Sequence, residues 1–225
     1  MKIDDKKERS LLKLISEESR EKLFAIGNEI TLKKGEILFA EREEVKSLYI
    51  VIDGFMALYR SSRYGEIKVI FICTDGEAIN EVVLQDEKTS ICSKALTDTK
   101  LLVIHQTDLM QLCQTDYSIM INLYESLARK TRRLYHQVGN ANGTYSLEKR
   151  LAAKIWKLAR DYGKETASGK EIGFETTVTF LANMLGAKRE TVSRIISQFK
   201  KDGIIEHNNG VLTVIDMDLL EETIQ

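Results

Sequence analysis

The sequence predicts an α+β protein: a β-roll half, one long helix, and a helix-turn-helix carrying a hairpin wing. Three observations carry this. Short apolar runs punctuated by glycine fill residues 37–104, apolar residues recur at near-heptad spacing over 116–138, and residues 176–215 read helix, turn, helix, hairpin.

In chain order, Leu11, Leu14, Ile15, Leu23 and Ile26 mark one or two short amphipathic helices over 10–26. The period changes from Ile30. Ile37-Leu38-Phe39, Leu48 to Ile52, Phe55 to Tyr59, Val69 to Cys73 and Leu101 to Ile104 are strand-type runs, separated by Gly35, Asp53-Gly54, Gly65 and Asp75-Gly76. Such spacing predicts a sandwich, barrel or roll. From Asp108 the pattern is helical. Met120, Leu123, Leu127, Leu134 and Val138 form a stripe interrupted at Lys130 and Thr131, and this stripe is read as the seam of a two-fold dimer. Gly139-Asn140-Ala141-Asn142-Gly143 is the expected hinge. Leu147, Leu151, Ile155 and Leu158 mark a further amphipathic helix, and Gly163–Gly173 reads as polar turn.

The last 50 residues are the most specific. Thr179 to Leu185 is a short helix, Gly186-Ala187-Lys188 a turn, and Arg189 to Lys201 a second helix with Val192, Ile195, Ile196 and Phe199 on its buried face. Asp202-Gly203 ends it, and two strands follow around Asn208-Asn209-Gly210, where Asn-Gly favours a tight hairpin. Leu219 to Ile224 is the last helical turn. The expected domains are 1–115 (sensor roll), 116–142 (dimerisation helix and hinge) and 143–225 (winged helix-turn-helix).

Composition narrows the function. With 225 residues, 43% hydrophobic and 30% charged, the chain can bury a core. The net charge of −1 excludes a globally basic nucleic-acid wrapper but not a local patch. No h-region follows Met1 and no run approaches ~18 apolar residues, so neither a secretory signal nor a membrane span is expected. Cys73, Cys92 and Cys113 form no disulfide framework, and a cytoplasmic, reduced protein is expected.

The local patch lies on the second helix of the helix-turn-helix. Residues 186–201 hold Lys188, Arg189, Arg194, Lys200 and Lys201 against the single acid Glu190. Such a helix can enter a major groove, where Arg pairs with guanine, Glu accepts from cytosine and Ser bonds either way. Lys200 and Lys201, at its far end, are expected to touch phosphates without regard to sequence.

With these residues in view, the chain resembles the Crp–Fnr superfamily of bacterial transcription regulators over roughly residues 20–215. The segment A-K-R-E-T-V-S-R-I-I-S-Q-F at 187–199 looks like its recognition helix. Lys34-Gly35-Glu36-Ile37-Leu38, Leu48 to Gly54 and Asp75-Gly76-Glu77 look like its cyclic-nucleotide-binding-type, cupin-like roll. The resemblance implies a homodimer on double-stranded DNA, with RNA polymerase as protein partner and an unidentified small-molecule effector. It makes Lys188, Arg189, Glu190, Thr191, Ser193 and Arg194 the DNA-reading set, with Thr177 and Thr179, and implies an inverted repeat with a T-G-A half-site core.

The roll departs from the family's nucleotide cassette. Its glycine is Asn80 here, its phosphate-binding arginine is Thr89 and its alanine is Ile91, while the ribose-binding acid remains as Glu81. Two hydroxyl residues that contact adenine are replaced by Leu134 and Tyr135. A cyclic phosphate therefore lacks its counter-charge, and no useful affinity for cyclic nucleotides is expected. The expected pocket, lined by Glu81, Val82, Val83, Thr89, Ser90, Leu134 and Tyr135, suits a smaller or more apolar ligand or is self-filled.

No cofactor or metal is expected. Residues 1–72 contain no Cys, and three cysteines cannot supply the four thiolates of common iron–sulfur clusters. His105, His136 and His207 match no zinc spacing. Haem ligation by a single His or Cys stays open at this stage. No hydrolase, P-loop or zinc-protease motif occurs, so no enzyme is expected. The alternative readings are a protein-docking roll without specific DNA binding and a haem or gas sensor on the same architecture.

Overall fold

The computed structural model describes residues 10–62, 65–85, 87–141 and 145–224. Its chain divides into two compact units: residues 1–60 with 70–143, and residues 144–225 with the segment 61–69.

In the first unit, α1 (Leu11–Leu14) and α2 (Glu17–Ile26) precede eight strands. These are β1 (Asn28–Leu32), β2 (Ile37–Phe39), β3 (Ser47–Asp53), β4 (Met56–Ser61), β5 (Ile67–Cys73), β6 (Ala78–Ile79), β7 (Cys92–Ala95) and β8 (Thr99–His105). They form two four-stranded sheets, ordered β1-β8-β3-β6 and β2-β7-β4-β5. A 3-10 turn, Glu81–Gln85, joins β6 to the loop before β7. The helices α3 (Gln106–Thr115) and α4 (Tyr117–Ala141) follow.

Alternation along the central strands makes two cores. On β3, Leu48 and Ile50 face the helices while Val51 faces the second sheet; on β8, Leu102 and Ile104 face the helices while Leu101 faces the second sheet. The helix-side core adds Leu11, Leu23, Leu109, Ile119 and Leu123, and the inter-sheet core adds Phe39, Met56, Leu58, Phe71 and Ile79. The period of two thus buries both faces of one sheet.

The sequence reading missed strands β1, β6 and β7, which are short or carry polar residues. Of the expected hinge, Gly139 to Ala141 are helical because α4 continues to Ala141, while Asn142 and Gly143 lie outside the described residues.

In the second unit, α5 (Leu147–Tyr162) leads to β9 (Gly163–Thr166) and β10 (Gly169–Ile172). This pair is a hairpin where turn was expected. Gly169, at φ +127, lets the chain reverse within two residues, a geometry that polar composition alone did not reveal. Then come α6 (Val178–Leu185), α7 (Arg189–Lys201), β11 (Ile205–Asn208), β12 (Val211–Val214) and α8 (Met217–Glu222). The four strands make one sheet, β11-β12-β10-β9. Among the described residues, no helix is long and apolar enough to cross a membrane.

The turn between β3 and β4 needs its glycine. Gly54 sits at φ +103, and a Cβ there would lie 2.7 Å from Thr99 Oγ1 and 2.8 Å from the Asp98 carbonyl oxygen. Gly54→Ala should therefore destabilise the roll by about 1–3 kcal/mol, read as a lower midpoint in urea denaturation. An unchanged midpoint would contradict this packing.

Candidate nucleic-acid interface and the polar site of the roll

The helix-turn-helix is set by local chemistry. Ser146 caps α5 by accepting from the Lys149 N–H, and Thr177 caps α6 by accepting from the Phe180 N–H at 3.0 Å. Gly186, at φ +62, ends α6 in the left-handed region, with its N–H returning to the Ala182 carbonyl. Arg150 donates to the Leu185 carbonyl at 2.8 Å, tying α5 to the end of α6.

The buried side of α7 is Val192, Ile196 and Phe199, packed in a unit whose interior includes Leu151, Ile155, Leu158, Leu181 and Leu185. Edge-on rings of Tyr162, Phe174 and Phe180 extend that interior. With one side of α7 fixed, Lys188, Arg189, Glu190 and Arg194 are exposed, and Thr191 and Ser193 are half-buried beside them. Ile195, expected in the core, is half-buried. Thr179 is exposed, and Thr177 is half-buried with its hydroxyl serving the helix cap.

The wing is clamped to this pair of helices. His207 on β11 bonds the Thr176 carbonyl through a ring nitrogen at 2.9 Å, so that nitrogen carries the proton. The Thr176 N–H donates to the Gly210 carbonyl at 2.7 Å. Burial, followed by the nearby Lys200 charge, pushes His207 below the usual histidine range. Lys200 itself donates to the His207 carbonyl at 2.9 Å. Lys200 and Lys201 are both exposed, and Lys200 in addition reaches the wing.

In the first unit, α4 carries two stripes, each spaced four, three, four, three, four. One is Ile119, Leu123, Ser126, Lys130, Arg133 and Gln137. Ile119 and Leu123 enter the helix-side core. Ser126 donates to Glu81 Oε1 at 2.9 Å, and Gln137 donates to the Ile70 carbonyl at 3.0 Å. Arg133 lies 3.7 Å from Glu77 and 4.8 Å from the Phe71 ring centroid.

Lys130 is the centre of this stripe. Its buried ammonium lies 2.7 Å from Glu81 Oε1 and 2.8 Å from Oε2, and donates to the Ala78 carbonyl at 2.6 Å. Three N–H groups thus meet three acceptors. Burial opposes the charge on Lys130, yet the Glu81 carboxylate outweighs it and holds the ammonium above the ordinary lysine range. Cys73 is fully buried nearby, and burial pushes its thiol up to about 12. It is an inert core thiol.

The second stripe is Met120, Tyr124, Leu127, Thr131, Leu134 and Val138. Tyr124 and Val138 are about two-thirds exposed, and Met120, Leu127 and Leu134 more than a third. An open groove on this side is lined by Tyr124, Leu127, Ala128, Thr131, Arg132 and Tyr135.

Two models of known families match this chain: a "Cyclic nucleotide-binding domain" over residues 29–116 and a "Crp-like helix-turn-helix domain" over residues 149–223. Together they span well over half of it. The chain belongs to the Crp–Fnr superfamily. It is similar to a "Cyclic AMP receptor protein" of Thermus thermophilus, 27% identical over 84% of each chain. It is also similar to an "Anaerobic regulatory protein" of Bacillus subtilis, 23% identical over 85% of this chain and 81% of the other. FixK2 of Bradyrhizobium japonicum shares the fold with a TM-score of 0.75 at 18% identity, over 88% of this chain and 97% of that one. The c-di-GMP responsive regulator CLP of Xanthomonas campestris does so with 0.77 at 17% identity, over 89% and 100%. The chain is therefore a Crp–Fnr-type DNA-binding transcription regulator, related to regulators rather than enzymes.

Within this Crp–Fnr fold the residues expected to line the pocket have the following surroundings. Leu134 is 39% exposed and Tyr135 is 72% exposed. Val83 is buried in the helix-side core, whereas Val82 and Ser90 are exposed. Thr89 is buried, with its hydroxyl donating to the Ala40 carbonyl at 2.6 Å. Asn80, in the place of the family's glycine, adopts φ +67 and donates to the Ser47 carbonyl at 2.9 Å. The expected seam also needs correction. Leu123 is only 6% exposed and belongs to its own core, so Tyr124 takes its place on the outer stripe. Lys130 does not interrupt that stripe; it belongs to the other one. Reading the helix at strict four-three spacing would have found both.

A buried carboxylate left without its cation is costly. Lys130→Met should destabilise the roll by about 3–5 kcal/mol, and Glu81→Leu with Lys130→Met together by far less, because neither charge is then stranded. Denaturant titration of the single and double variants checks this. Equal losses would mean that the two groups act independently.

Proposed function

We propose that this regulator is a homodimer that reads an inverted repeat with a T-G-A half-site core, and that its roll does not take a cyclic nucleotide. The observation that carries the reading is α7, where Val192, Ile196 and Phe199 anchor one side and leave Arg189, Glu190 and Arg194 in solvent. Arg194 and Glu190 would read the G·C pair of the core, with Arg189, Thr191 and Ser193 beside them and Lys188, Lys201, Thr177 and Thr179 toward the backbone. Two such helices about one DNA turn (~34 Å) apart call for an inverted repeat. The outer stripe of α4 supports the dimer, since a second copy would cover its apolar residues. RNA polymerase is the protein partner this reading implies, and the cytoplasm its place of action.

The cyclic-nucleotide exclusion rests on charge. Thr89 brings no cation to a phosphate, and Glu81 already holds one of its own. Any controlling signal is therefore of another chemistry.

Selection from a random DNA pool should recover the inverted repeat. Arg194→Ala should lose roughly 1–3 kcal/mol of discrimination at the guanine position and flatten the recovered motif there. A motif unchanged in Arg194→Ala would overturn this docking.

Leu127→Glu, on the outer stripe, should shift the protein toward monomer at micromolar concentration in sedimentation without unfolding the roll. A variant that sediments like the parent would overturn the seam.

A further inference from the structure

We infer that the roll carries its own occupant: the Lys130 ammonium fills the polar site on Glu81, and the regulator is competent to bind DNA with no small molecule bound there. Competence is read through DNA, so the inference rests on the function proposed above.

The argument is one of satisfied groups. Glu81 is the acid that the nucleotide-binding pattern retains, and both its oxygens are engaged: Oε1 by Ser126 and Lys130, Oε2 by Lys130. The third Lys130 donor goes to the Ala78 carbonyl. Around this pair, the Asn80 amide donates to the Ser47 carbonyl and the Thr89 hydroxyl to the Ala40 carbonyl. A ligand reaching Glu81 must displace a buried ammonium that already has three acceptors, and must leave that ammonium with equivalent partners. A neutral ligand cannot replace the Lys130 charge on Glu81, and an anionic one that captured the ammonium would leave that buried carboxylate without its cation.

The same contacts fix α4. Ser126 and Lys130 hold its middle to Glu81, Arg133 reaches Glu77, and Gln137 reaches Ile70. The helix whose outer stripe is the proposed seam is thus held in place by an intramolecular cation, where an effector would otherwise have to act.

Three measurements test this. Native mass spectrometry of the purified full-length protein should give the mass of the bare chain or its dimer. Affinity for the selected repeat should stay within about twofold after extensive dialysis against a mild chaotrope and return to buffer. Lys130→Ala should lose tenfold or more in DNA affinity and in part regain it with millimolar propylammonium chloride. Equal tetramethylammonium chloride, which has no N–H, should not restore it. A small molecule bound at one per chain, whose removal lowers affinity tenfold and whose return restores it, would overturn the inference alone. A bare mass with no DNA binding before or after dialysis would overturn both the claimed competence and the DNA-binding reading. If Lys130→Ala fails to fold, the mass and dialysis results on the parent protein decide the matter.

Discussion

The arrangement of the first unit depends on one buried ion pair. Lys130 and Glu81 lie in an environment where an isolated charge is prohibitively costly, so each is tolerable only with the other in place. This fixes the face that α4 turns to the sheets. A rotation of α4 by one residue, about 100°, would strand both charges and expose Ile119 and Leu123. The pair contributes less through net attraction than by making alternative packings of α4 unfavourable.

Because that face is settled, so is the outer stripe about 100° around the helix from it. Beyond Leu123 the inward stripe of α4 is polar, while the outward stripe carries Met120, Tyr124, Leu127, Leu134 and Val138. An ordinary surface helix has the reverse arrangement. Here the inward polar residues are satisfied by Glu81, Glu77 and two backbone carbonyls. The apolar side stays in solvent, and this exposure is the physical basis for the dimer proposed above.

The second unit uses a different device for the same end. Local caps and a left-handed glycine set the turn between α6 and α7, and apolar burial sets the rotation of α7. His207 and Lys200 then hold the wing through backbone carbonyls, so a residue within the basic cluster also has a part in the geometry of the wing. Charge counting cannot distinguish Lys200 from Lys201; their surroundings do.

The sequence by itself determined what depends on short-range pattern. Apolar periodicity located most roll strands and the long helix, and the Gly186 turn with Val192, Ile196 and Phe199 located the recognition helix and its exposed residues. These features follow from residue spacing and backbone preference, which are local. Tertiary structure alone decided the pairing of Glu81 with Lys130, 49 positions away, and the exchange of Leu123 for Tyr124 on the outer stripe. It also left Leu134 and Tyr135 exposed and drew the Lys200 ammonium to a carbonyl of the wing. The reason is the same in each case. A side chain's partner is set by which distant segment packs against it, and a pattern within one segment constrains the direction a residue faces without naming what it meets.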